Sequence, residues 1–232
     1  MRTKRIEFIS EYCDRWCERC AFTSRCSAYA VKTALGMCGD IREAIELAVG
    51  APMAVGAAGA RQTRTFEIEE PRPEELQRIG AEEKARDRRI EQSPISKKAM
   101  SLCMKAHQWF RARENTVRAG ADAMLLEALE IAAWDSCFIG AKLARALHGR
   151  DRHASGDDWD DDPIQNDWNG SAKIALISIE RSESAWQTIA QAAADVAAAD
   201  LASAMGSLRG EVEDAFPFAR LFKRPGFDDP GC

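Results

Sequence analysis

Four of the eight cysteines, Cys13, Cys17, Cys20 and Cys26, fall in one short stretch with the spacing C-x3-C-x2-C-x5-C. Clustered thiols bind metals as thiolates, and in a reducing compartment such clusters serve as ligands or redox groups more often than as structural disulfides. If the stretch is helical, Cys13, Cys17 and Cys20 stand at i, i+4 and i+7 and fall within an arc of about 60°. Phe22-Thr23-Ser24 can then turn the chain so that Cys26 becomes a fourth ligand. Four thiolates on nearby positions suit a [4Fe–4S] cluster. A structural zinc ion takes the same four, but usually as two pairs with a longer spacer between them, so the short spacer here tips the balance toward the cluster. The third reading is buried free cysteines or disulfides, although thiols one helical turn apart are poorly aimed for a disulfide. Were Cys26 not to reach, an open coordination position would remain, which favours chemistry over structure.

Part of the pattern resembles a known one. The run Cys17-x2-Cys20-x5-Cys26 is similar to the end of the iron–sulfur loop in the endonuclease III class of DNA glycosylases. That class has six residues ahead of this run, whereas three separate Cys13 from Cys17 here. No Gly-rich helix–hairpin–helix signature and no matching catalytic Lys and Asp accompany it. The resemblance therefore implies only that such spacing can hold a cluster. Arg15, Arg19 and Arg25 interleave with the cysteines and would neutralise thiolates, solvate the helix or face phosphate. Tyr12, Trp16 and Phe22 would shield a cluster from water or form a small core.

A second chemistry to weigh is a carboxylate metal site. Two E-x-x-E pairs occur, Glu127/Glu130 and Glu180/Glu183, and His107 lies in a helical stretch that could face them. Di-iron bundles also use Glu-x-x-His pairs, and this chain has none, so exposed or ion-paired faces explain these carboxylates better. The acidic run Asp157, Asp158, Asp160, Asp161 and Asp162 lacks EF-hand spacing and reads as a solvated loop. Phosphate-loop, nucleophile-elbow, dinucleotide and H-E-x-x-H motifs do not occur. Cys103 and Cys137 lie in apolar helical stripes and read as small core residues, with Cys38 and Cys232 scattered.

Helices must position these groups. The chain has 232 residues with 7% aromatics and abundant alanine, a composition that suits packed helices. The patterns predict helices over Thr3–Cys20, Arg25–Leu35 (stopped by Gly36), Ile41–Val49 (capped by Asp40, stopped by Gly50), Pro73–Gln92, Ile95–Val117, Ala121–Leu147 (closed by Gly149), Ser171–Ala199 and Leu201–Asp214. A short alternating piece, Thr65–Glu69, could be a strand without an obvious partner. Phe216 to Phe222 forms an aromatic tail expected to dock, followed by a turn at Arg224-Pro225-Gly226-Phe227. The expected architecture is all-α: an antiparallel helical bundle with a short helical N-terminal cysteine-rich metal-binding unit. Its divisions are a Cys-rich unit over 1–50, a linker over 51–72, the bundle over 73–215 and the docked tail over 216–232.

The function expected from this is a metal-binding helical protein, carrying an iron–sulfur cluster or zinc in a structural or electron-carrying site and acting through a protein partner. Alternatives are a redox or metal-dependent enzyme using the Cys site or the bundle carboxylates, and a nucleic-acid-binding protein with an iron–sulfur loop. The net charge of −5 argues against general affinity for nucleic acid. The basic start lacks the apolar core of a secretory signal, and no apolar run reaches the roughly 18–20 residues of a membrane span, so a cytoplasmic location is expected. The oligomeric state is not encoded in any pattern found.

Overall fold

The computed structural model describes residues 4–50, 71–156 and 162–228. Among them the structure is all-helical and contains no strand: α1 (Ser27–Cys38), α2 (Ile41–Val49), α3 (Pro73–Gln92), α4 (Pro94–Arg118), α5 (Ala123–Ala154), α6 (Asp167–Ala193) and α7 (Val196–Ala215), with 3-10 turns at Cys17–Arg19, Thr23–Arg25 and Ala219–Leu221. The expected strand at Thr65–Glu69 and acidic residues Asp157 to Asp161 lie outside the described residues. No described helix is long and apolar enough to cross a membrane. The chain divides into two compact units, Met1–Glu83 with Pro225–Cys232, and Lys84–Arg224, so that the division passes through α3.

The larger unit is a four-helix bundle. Each helix starts on a side chain that satisfies an otherwise unpaired amide: Ser93 for α4, Asp122 for α5, Asn166 for α6 and Asp195 for α7. Cross-helix pairs set an antiparallel register. Arg181 on α6 grips Asp135 on α5 through two bonds of 2.9 and 2.6 Å, and about three to four turns along, Arg145 on α5 grips Asp167 on α6 at 3.0 and 2.7 Å. Arg209 on α7 meets Glu183 on α6 at 2.8 Å, and Lys98 on α4 meets Ser207 and Glu211 on α7. Opposite signs of charge on facing helices thus choose one alignment, while the apolar stripes supply the bulk of the stabilisation. Trp186 is fully buried and makes edge contacts with Trp109 at 5.1 Å, and Phe110 joins the same cluster. The tail seals this unit: Phe216, Ala219 and Phe222 are buried, and the Gln165 side chain exchanges two hydrogen bonds with the Lys223 backbone.

Several boundaries differ from expectation. Gly149 does not close α5. It lies inside the helix, where an added Cβ would stand 3.1 Å from the Trp168 Cβ, so the missing side chain lets α6 approach closely. The break between α6 and α7 falls at Ala194-Asp195, where Ala194 takes φ 49°. Its carboxylate neighbour compensates. Asp195 accepts from the Ala198 amide at 3.1 Å and the Trp109 indole N–H at 3.1 Å, and pairs with Arg113. One buried side chain therefore caps α7 and ties the tightest connection of the bundle to α4.

The smaller unit is built differently. α1 and α2 pack as a pair around Ala34 and Ala44. Asp40 caps α2 by accepting from the Glu43 amide. The left-handed residue that ends α1 is Gly39, φ 76°, rather than Gly36, which lies within the helix. The expected helix from Thr3 to Cys20 is absent over its described part, which forms turns and a 3-10 segment. Phe8 and Arg15 adopt φ 58° and 59°, outside right-handed helix space, and Asp14 accepts from the Trp16 amide at 3.1 Å in a local turn that competes with helix. The Arg5 guanidinium then spans the unit, donating to the Cys26 carbonyl at 2.9 Å and the Ala48 carbonyl at 3.2 Å.

Asp195 generates a direct test of the bundle. Burial pushes its carboxyl pKa up, but the Ala198 amide, Arg113 and the Trp109 indole outweigh that, and the net shift is downward. A depressed folded pKa gives stability that is present above the unfolded carboxylate value of about 4 and lost as pH falls through the folded value. Asp195→Ala should cost about 2–4 kcal/mol by chemical denaturation at neutral pH, from a lost cap and an orphaned indole N–H. The gap between wild type and variant should narrow in acid; a pH-independent gap would contradict this role.

Candidate metal centre

The loss of the expected N-terminal helix changes how the four cysteines are presented. Cys13 sits on a bend, Cys17 opens a 3-10 turn that Cys20 closes, and Cys26 is the N-cap of α1. They share no helical face. Instead, successive turns direct all four toward one small cavity of about 20 Å³, with Ile9, Trp16, Tyr29 and Phe227 among its walls. Ile9 is buried, and Phe22 packs edge-on against Phe227 with centroids 4.9 Å apart. Gly226 has φ 77°, and a Cβ there would stand 2.8 Å from Ile6 Cδ1, so glycine is what allows the 225–228 segment to lie against this loop. Of the aromatics expected as a shield, Trp16 lines the cavity and Phe22 backs it through Phe227.

The thiols are half-buried and unoxidised. Two already accept backbone hydrogen bonds, Cys20 Sγ from the Phe22 amide and Cys26 Sγ from the Tyr29 amide, each at 3.4 Å. Cys13 donates to the Ser10 carbonyl at 3.5 Å. The Cys17 thiol is pushed above its ordinary pKa, first by burial and then by Glu18, Cys26 and Cys20, against the opposing pull of Lys32. Cys20 and Cys26 thus lie within electrostatic reach of Cys17. Even so, among the described residues no group of three or more His, Cys, Asp and Glu side chains stands in an arrangement that could hold a metal ion. Among the described residues the expected preassembled ligand set is absent: the four cysteines border a common cavity, and a metal would have to draw their sulfurs inward as thiolates.

Three arginines of this segment are engaged. Arg5 and Arg25 bond to backbone carbonyls, and the Arg19 guanidinium lies 4.0 Å over the Trp16 ring. The carboxylates of the bundle do not gather. Glu127, Glu130 and His107 are exposed, Glu180 pairs with Arg220, and Glu183 pairs with Arg209. Cys38 donates to the Asp40 carbonyl, away from the other four. Cys103 and Cys137 are not core residues as expected: Cys137 is exposed, Cys103 half-buried, and their sulfurs stand 3.4 Å apart across α4 and α5. Their pairing is carried by bundle register and has no signature in local spacing.

Comparison with protein families, characterised proteins and solved structures finds no match to this chain. The dual position of Cys26 can be separated by substitution. With metal chelated and thiols reduced, Cys26→Ala should lose the α1 cap and destabilise the N-terminal unit by about 1 kcal/mol, whereas Cys26→Ser should retain it. Equal effects on helix content and unfolding of residues 27–49 would show that the Cys26 cap does not matter.

Proposed function

We propose that Cys13, Cys17, Cys20 and Cys26 hold a metal centre, a [4Fe–4S] cluster in the first reading, with a structural or electron-carrying role exercised through a protein partner. The observation that carries the proposal is that all four thiols border one cavity although they come from a bend, a 3-10 turn and a helix cap that share no face. Further support comes from groups placed to stabilise thiolate charge. These are the amides on Cys20 and Cys26, the positive end of α1 at Cys26, and the Lys32 cation acting on Cys17. A cluster spreads its ligands around a cube, which agrees with sulfurs not converged on a single point. Zinc is the second reading, favoured by the small cavity, which is roughly the size one water needs. Zinc would require the four sulfurs to close to about 2.3 Å from one ion.

Support for a protein partner comes from α2. Ile41, Ile45 and Val49 recur at four-residue spacing and are all exposed, as is Met37 at the end of α1. A helix with an uncovered apolar stripe of this period is suited to a partner's groove.

Purification without oxygen followed by iron, acid-labile sulfide and zinc analysis tests the centre. The expected result is stoichiometric iron and sulfide with a broad absorption band at about 400 nm, or one zinc ion per chain without colour. Cys17→Ser and Cys20→Ser should each lower the metal content, and loading should weaken as pH falls, because protons compete for the thiolates. Protein free of both metals, with all four thiols open to alkylation, would overturn the proposal.

A further inference from the structure

We propose that Cys103 and Cys137 form a peroxide-reactive dithiol that closes to a disulfide between α4 and α5. Cys103 lies one residue past Leu102 in the buried stripe of α4, and Cys137 lies one past the buried Ser136 of α5. Each is thus at the edge of the helix–helix seam, and the two meet there with sulfurs 3.4 Å apart. That is thiol–thiol contact distance, so closing the bond needs a shift of little more than an ångström toward the usual length of about 2.05 Å. The seam opens at this point into a depression of about 410 Å³, bordered by both cysteines with His107, Arg111 and Glu114. A small oxidant therefore reaches the sulfurs without unfolding the bundle.

The two thiols are unequal, which sets the order of events. Cys137 is exposed, whereas burial and then the contact with Cys137 push the Cys103 thiol up to about 11. Cys137 is the sulfur that meets the oxidant. Its thiolate attacks one oxygen of hydrogen peroxide, the O–O bond breaks, and after proton transfer Cys137 is a sulfenic acid and one water has left. Cys103 then attacks the Cys137 sulfur, the S–O bond breaks, and the Cys103 proton leaves with the hydroxide as a second water. In sum, two thiols and one peroxide give one disulfide and two waters, with the cysteines oxidised and the peroxide reduced. The product links α4 to α5 covalently across 34 positions of sequence.

Peptide mapping of the full chain after brief hydrogen peroxide treatment reads this directly. A linked peptide carrying Cys103 and Cys137 should become the main form of both residues and disappear on treatment with dithiothreitol. In Cys103→Ser the sulfenic acid trap dimedone should label Cys137, and in Cys137→Ser Cys103 should remain a free thiol. Because the linked peptide is itself the readout, the result does not depend on whether the N-terminal cysteines carry metal. Recovery of both cysteines as free thiols after peroxide, or of either one joined to a different cysteine, would overturn the proposal. So would dimedone labelling of Cys103 in preference to Cys137.

Discussion

A folded unit must bury enough apolar surface to offset the conformational entropy of its chain. That constraint is met very unevenly along this protein. Lys84–Arg224 meets it with a continuous core around Trp109, Trp186, Leu129, Leu143, Ile179 and Leu208, sealed by Phe216 and Phe222. In the described part of the other unit, the buried apolar side chains are Ile9, Ala34 and Ala44. Two alanines and one isoleucine supply a few kcal/mol at most, on a scale of about 1.5–3 kcal/mol for a large side chain. Small domains short of core are generally completed by disulfides or by a metal. None of the described cysteines is in a disulfide, and the proposed centre would provide a cross-link in addition to this small core.

The bundle shows how polar groups refine what burial drives. Asp135 is fully buried, and its bidentate partner Arg181 satisfies both carboxylate oxygens. A buried pair of this kind adds little net stability, yet removing one partner is expensive, so it discriminates between alignments more than it stabilises one. Asp195 works similarly at the far end. It converts an alanine in the left-handed region, which costs about 1–2 kcal/mol, into a rigid corner by anchoring it to Trp109 and Arg113. The cysteine pair on α4 and α5 lies where this rigid frame leaves its seam open.

The helices of the bundle were legible because apolar residues repeat at helical spacing and because Ser93-Pro94 is a strong local signal, as Asp40 is for α2 in the smaller unit. The corner at Ala194-Asp195 was not, since neither residue is a usual helix stop and the interactions that hold it come from α4. Gly149 misled because a helix-ending glycine and a glycine that permits close packing look alike in one dimension. The four cysteines were conspicuous as a set. Their geometry was not, because i, i+4, i+7 spacing suggests one helical face, whereas Asp14 and the left-handed Arg15 turn the chain away from helix. Cys103 and Cys137 could be paired only once the α4–α5 register was known.

In the proposed reading, a metal centre supplements the small core found among the described residues of the N-terminal unit. Amide hydrogen exchange on the same protein with metal bound and after its removal by chelation under reducing conditions tests it most directly. The account predicts that amides of α1 and α2 are protected in the metal-bound form and lose most of that protection on chelation, while those of α5 and α6 are unchanged. Equal protection of residues 27–49 in the two states would contradict it.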